Sequence, residues 1–395
     1  MSRNRWTILF ALFAARASVG FQFQTVASST HVLRRDLGVG LEQIGVLIGV
    51  YFLTGLFLAL PAGVIGARFG ARTTVLAGLA LMVAGSLAGA FSEVWSVHLA
   101  ARMVAGAGGV LVSVLMTKMV TDWFVGADTA TAMGIFVNSW PVGLAIALLA
   151  VPPLADATGL RGVFLVSAAL CAAGFALVAL VYRDPPQPAA PSPAVAQPQA
   201  QVWPRGATFW LVVLAAMVWG WFNAGFAQIF GFGPAMLAER GMSAVAAGSV
   251  VSIVLWLSIL SVPAGGIIAD RTGAPRLIIA LSATIGAILV LVASNASQPA
   301  LAFAALGLVI GLPAGPIMAL PSLVLRPAER AVGMGVFYTI FYLLMLLGPV
   351  AAGYLARSAG TAAAAFQSGA LGIAMGVVCF AAFLLGLRRH AGPRA

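Results

Sequence analysis

The sequence predicts an all-α membrane protein whose twelve transmembrane helices form two six-helix bundles. Three observations lead there. Hydrophobic residues make up 62% of the 395-residue chain and charged residues only 8%, against roughly 25% in a soluble domain, so lipid must cover most of the surface. Apolar runs of about 20 residues, the length that crosses a bilayer, recur from end to end. Short motifs of the first half return in the second at offsets of 201 to 203 residues.

The runs fall at 6–28, 42–66, 73–91, 95–117, 129–151 and 161–182, and then at 207–230, 243–268, 276–294, 299–321, 329–352 and 361–387. The first follows Arg3 and Arg5 as a signal peptide would. It contains Arg16 and has no convincing cleavage site, so it reads as a retained helix. The runs are continuous, without the period-two alternation of a membrane barrel. Between the sixth and seventh lies Asp184-Pro185-Pro186, followed by Pro188, Pro191, Pro193, Pro198 and Pro204. Such a stretch cannot bury a core and is expected to be an extended linker. The division is therefore 1–182, a bundle; 183–206, a linker; and 207–395, a second bundle.

Orientation follows from the basic residues, which collect in cytoplasmic loops. With the N-terminus inside, the outer loops hold only Arg34, Arg35, Arg161, Arg240 and Arg357. The inner segments hold fourteen basic residues, from Arg3 and Arg5 to Arg388, Arg389 and Arg394. Both termini are expected in the cytoplasm. The net charge of +11 is thus topological, and no basic stripe with interleaved aromatics suggests nucleic acid. Cys171 and Cys379 both sit in apolar runs and are too few for a zinc site or a disulfide framework. No G-x-S-x-G, H-E-x-x-H or phosphate loop is present, so neither an enzyme nor an ATP-driven pump is expected, and no cofactor is implied.

The repeat is specific. Leu60-Pro61-Ala62-Gly63 matches Val262-Pro263-Ala264-Gly265, and Met133-Gly134-Ile135-Phe136 matches Met334-Gly335-Val336-Phe337. Asp128 before the one stands where Glu329 does before the other. An internal duplication of six helices is a transporter architecture. With its loop motif the chain resembles the major facilitator superfamily. The motif G-x-x-x-D-R-x-G-x-x-R appears as Gly266 to Gly273, with Asp270, Arg271 and Arg276. Its first copy, Gly63 to Arg72, carries Ala67 in place of the acid. Arg102 to Gly108 is similar to the family's R-x-x-x-G-x-G. The resemblance implies a cytoplasmic latch at Asp270, docking at the start of the fifth helix near Asp128 to Met133. Arg16 with Gly20-Phe21-Gln22-Phe23-Gln24 resembles the cyanate-permease-like, small organic-anion branch. The arginines that nitrate porters place in the second and eighth helices are missing. Of the antiporter motif in the fifth, only Pro141-Val142-Gly143 remains.

Charged groups within the bilayer are costly and point to function. Only Arg16 and Arg102 lie well inside the runs, and all ten acids fall in loops or near helix ends. Arg16 is ten residues into its helix, about 15 Å deep at 1.5 Å per residue. A buried guanidinium needs acceptors or a counter-charge, which a substrate anion could supply and backbone carbonyls of a broken helix could also supply. Arg16 is the expected substrate anchor. Gln22, Gln24, Asn138, Trp140, Asn223, Trp256, Tyr338 and Tyr342 are candidates to line the same cavity. Arg102, His98, which shares its helix face, Asp270 and Arg271 are candidates for coupling or gating. The expectation is a monomeric alternating-access transporter of a small organic or cyanate-like anion in a bacterial inner membrane. A coupling proton or counter-substrate would be its other partner. The alternatives are an exporter of hydrophobic or cationic compounds and a transport-dead membrane sensor.

Overall fold

Lipid offers a backbone no hydrogen bonds, so spanning segments must satisfy their own polar groups. In a computed structural model, which describes residues 5–124, 129–185, 203–326 and 329–390, every regular element is helical. The elements are α1 (Arg5–Ser28), α2 (Thr30–Leu37), α3 (Leu41–Val50), α4 (Leu53–Phe69), α5 (Ala71–Ala90), α6 (Trp95–Trp123), α7 (Thr129–Val137) and α8 (Ser139–Val181). They continue as α9 (Gly206–Glu239), α10 (Ala244–Thr272), α11 (Pro275–Asn295), α12 (Pro299–Ile310), α13 (Ala314–Met318), α14 (Arg330–Ala359) and α15 (Ala362–His390). Eleven stretches among the described residues are long and apolar enough to cross a membrane. The protein is an all-α, multi-spanning membrane fold. Most of the proline-rich segment, 186–202, lies outside the described residues, as do Arg3, Asp128 and Arg394.

The helices depart from the apolar runs where the backbone chemistry changes. Ile135–Val181 is one apolar stretch of 47 residues, yet Gly159 divides it, at φ 64° and ψ −170°. That conformation suits glycine, so the expected fifth and sixth runs join without a loop. The run 129–151 is itself broken at Asn138, and 42–66 is broken at Tyr51 and Phe52. The run 299–321 gives α12, α13 and a 3-10 turn at Leu320–Leu323, interrupted near Pro313, which has no N–H to give. The seventh run extends nine residues beyond its expected end, through Pro234 to Glu239. Glu239 then accepts from Ala362 N–H at 2.9 Å and from Thr361 Oγ1 at 2.6 Å, a carboxylate at the N-terminus of α15, where the helix dipole favours it. Helix α2 was not evident in the sequence, since its eight residues, THVLRRDL, are polar overall.

Helix α1 packs on α8, and α5 on α6 and α8, while α9 packs on α14 and α15, and α10 on α12. The sets α1–α8 and α9–α15 meet where α14 lies on α3 and α4, α10 lies on α8, and α1 touches α9. At the end carrying Glu42 the backbones are in close contact. A Cβ on Gly45 would strike the Pro349 carbonyl, and one on Gly248 the Leu148 carbonyl. Gln24 donates to Phe230 O at 2.9 Å, and Arg357 pairs with Glu42 at 2.6 Å. At the other end, Gly63 and Gly266 face open space. The molecule is closed at the Glu42 end.

Backbone contact, not charge, holds that end shut. The Glu42–Arg357 pair is exposed, and such pairs contribute about 0–1 kcal/mol. Glu42→Ala should therefore change the balance of states by less than about fivefold. Overpacking costs roughly 1–3 kcal/mol, so Gly248→Leu should shift the balance by about tenfold or more toward the state open at the Glu42 end. Maleimide labelling of a cysteine placed at Ile48 measures both; a rise in Glu42→Ala as large as that in Gly248→Leu would show that charge carries the closure.

Candidate functional site

Pro141 has no amide hydrogen, so the Val137 carbonyl one turn before it has no helical donor. Helix α7 ends there, and Arg16 of α1 is aimed at the break. Its Nη1 donates to Phe136 O at 3.1 Å, Val137 O at 3.3 Å and Ser139 Oγ at 3.4 Å. The Phe136 ring lies 4.7 Å from the guanidinium carbon, within cation–π range. Neither Nε nor Nη2 donates to any described residue. On α14, Tyr342 and Tyr338 lie near Arg16. Arg16 itself is half-buried. The carbonyls of the broken helix thus take one nitrogen of the fork and leave the rest.

Arg102 is arranged differently. It is fully enclosed, donating from Nε to Leu47 O at 3.1 Å, from Nη1 to Gln22 O at 3.1 Å and from Nη2 to Phe23 O at 3.0 Å. At the α3–α4 break the Tyr51 N–H turns to Gly49 O, and Arg102 takes the Leu47 carbonyl. All three guanidinium nitrogens are occupied by backbone, which ties α1, α3 and α6 together. His98 is buried one turn earlier, with Nε2 2.9 Å from Ser92 O and its ring against Phe164.

The other predicted residues divide. Tyr338 and Tyr342 face Arg16, and Asn138 sits in the break itself. Trp140 joins them through rings: it lies 5.4 Å from Phe23, which is 5.1 Å from Phe52, which is 6.3 Å from Tyr342. Gln22 does not belong to this group, contrary to the expectation that it lines the same cavity. At about 100° per residue, six residues turn it roughly 120° from Arg16. It donates instead to Met82 O and Ser86 Oγ, both at 2.7 Å, on α5. With His98 and Arg102 it lines a cavity of about 10 Å³, on the order of what one water needs. Gln24 lies on the Arg16 side but is spent on Phe230 O at the closed end. Asn223 donates to Trp219 O of its own helix at 2.8 Å. Trp256 is 39% exposed, and no hydrogen bond or ring contact links it to the Arg16 group among the described residues. Asp270 and Arg271 are exposed and make no hydrogen bond or ion pair with a described residue; Asp128, the expected partner region's first member, is not described. Sequence reasoning missed Phe136 and Ser139. The available signal was Pro141, which identifies the carbonyl it orphans.

Comparison with known proteins agrees with this architecture. The chain is 30% identical to the inner membrane transport protein YajR of Escherichia coli over 141 residues, 35% of this chain and 30% of that protein. It is 26% identical to the human choline/ethanolamine transporter FLVCR2 over 157 residues, 39% of this chain and 30% of that one. The matched stretch thus spans under a third of each of these relatives. The crystal structure of a point mutant of the nucleoside transporter NupG superposes with a TM-score of 0.74 at 14% identity, covering 97% of this chain and 99% of that one. The likeness is one of fold. The sequence pattern of the Major Facilitator Superfamily matches residues 8–344 and, a second time, 226–395. A chain of spanning helices that carries the loop motif and fits this pattern almost from end to end is a member of the Major Facilitator Superfamily.

Proposed function

We propose that the chain is a secondary transporter that moves a small organic or cyanate-like anion by alternating access. In this reading two six-helix bundles, 1–182 and 207–395, rock about Arg16, with both termini and the linker in the cytoplasm. The observation that carries it is the incomplete hydrogen-bond shell of the Arg16 guanidinium: the buried Nε has no partner among the described residues, Nη2 donates to no described residue, and no acid lies in the surrounding spans. A carboxylate or a similar anion would complete the shell that one broken helix only begins. The family makes this a transport protein and not an enzyme. Export of a cationic compound is the other reading. The cluster of aromatic rings favours it, and FLVCR2 is named for choline and ethanolamine, but an uncompensated cation at the site opposes it. Counter-flow of labelled acetate, cyanate and choline in proteoliposomes decides. Flux of choline alone would overturn the anion reading.

The gate at the Asp270 end should depend on that carboxylate. In the state closed there, Asp270 would dock at the start of α7, where the helix dipole favours an anion by about 0.3–1 kcal/mol. Its lack of partners among the described residues in this state supports a contact made only in the other state. Asp270→Ala should therefore move the population toward the form open at the Asp270 end, by roughly twofold to fivefold. Labelling of a cysteine at Val64 reads the shift. Unchanged labelling would defeat the latch.

A further inference from the structure

We propose, resting on the anion reading above, that the substrate is a carboxylate carrying a planar aromatic body. The geometry at Arg16 selects the head group. Nη1 is committed to Phe136, Val137 and Ser139, whereas Nε and Nη2 are uncommitted. Those two nitrogens share one edge of the guanidinium plane, and their parallel N–H bonds match the two oxygens of a carboxylate. A linear anion such as cyanate fills only one of the two.

The surroundings select the body. Phe23 lies seven residues beyond Arg16 on α1, about 10 Å along the helix. It gathers Phe52, Trp140 and Phe230 at ring distances of 5.1, 5.4 and 6.3 Å. Phe52 carries the layer across to Tyr342, and Tyr342 to Phe341 at 5.1 Å. This aromatic layer crosses from the first set of helices to the second. Its fully buried members pack as core. Trp140, Phe341 and Tyr342 are only half-buried, and Tyr338 beside them is 36% exposed. An ion of two or three atoms held at Arg16 would leave these rings untouched. A benzoate-sized acid held at Arg16 would carry its ring toward Tyr338 and Tyr342, which lie nearby, where offset and edge-to-face contacts would add to the area it buries. The same rings could hold a cation, but Arg16 repels one and no in-span acid offsets it.

The test is calorimetric titration of the intact purified protein with benzoate, acetate, cyanate and benzamide, followed by the same titrations with Trp140→Leu and Tyr342→Leu. Benzoate should bind at least tenfold tighter than acetate or cyanate, and benzamide should not bind measurably. In each variant the benzoate-to-acetate ratio should fall toward one. If a variant does not fold, the wild-type series decides alone. Equal affinity for benzoate and acetate, or tighter binding of cyanate, overturns the aromatic class and leaves the anion reading intact. Benzamide binding as well as benzoate, or no binding of any anion, overturns the anion reading itself.

Discussion

Arg16→Ala should abolish anion binding and uptake while the protein still folds. Arg16 is half-buried and its bonds go to one broken helix, so its loss leaves fewer groups unserved than the loss of a fully enclosed arginine. What it removes is the counter-charge for an ion that must leave water to enter the site. Truncating one partner of a buried, hydrogen-bonded charge pair costs roughly 2–5 kcal/mol, which is on the order of 30-fold to several-thousand-fold in affinity. Arg16→Lys should fail nearly as badly. An ammonium can satisfy the Val137 carbonyl that Pro141 orphans, but it is a point charge and cannot also present two parallel N–H bonds to a carboxylate. The informative pair of measurements is anion affinity and melting temperature on the same purified variant. Near-normal affinity in Arg16→Ala would remove Arg16 from the site. A large fall in melting temperature with little folded protein would instead make its bonds to Phe136 and Val137 its main purpose.

The broad architecture was legible because lipid leaves so few options. The composition, the apolar runs and the recurrence of Pro-Ala-Gly at residues 61–63 and 263–265 require only counting, and the helices follow from it. Breaks inside the runs were less legible. The interruption at Asn138 follows from Pro141, but the one at Tyr51 and Phe52 has no proline beside it. That break accompanies a long-range bond from Arg102 to Leu47 O, which no local pattern encodes. Arg16 stood out as a lone charge in an apolar helix, and the structure gives its Nη1 the carbonyls of one broken helix. Gln22 was expected beside Arg16 from its residue type, but six residues turn it well away along the helix, and its bonds go to Met82 O and Ser86 Oγ. The Glu42–Arg357 pair joins residues 315 apart and carries no sequence signal beyond its charge. Polar residues reveal themselves by type, whereas the face they take depends on which neighbour claims their hydrogen bonds first.

Arg102→Ala should have the opposite profile to Arg16→Ala: severe loss of folded protein and little change in affinity for whatever folds. The two side chains share their chemistry, and they differ in what holds them. Each nitrogen of Arg102 serves a carbonyl in an enclosed place, and its guanidinium carbon lies 4.7 Å from the centre of the Tyr51 ring and 5.5 Å from that of Phe23. Removing it leaves three acceptors unserved, at about 1–3 kcal/mol for each group left without a partner. The sum is an upper bound, because α3 can shift and a water can enter. Even half of it is a large share of the roughly 5–15 kcal/mol by which proteins are stable. Arg102→Lys should recover part of the loss, since one ammonium can reach some of the three carbonyls and loses the ring contacts' planar geometry. The measurement is the monodisperse fraction and melting temperature in detergent, beside anion affinity per folded molecule. A variant that folds as well as wild type and no longer binds would place Arg102 with the substrate and reverse the roles of the two arginines.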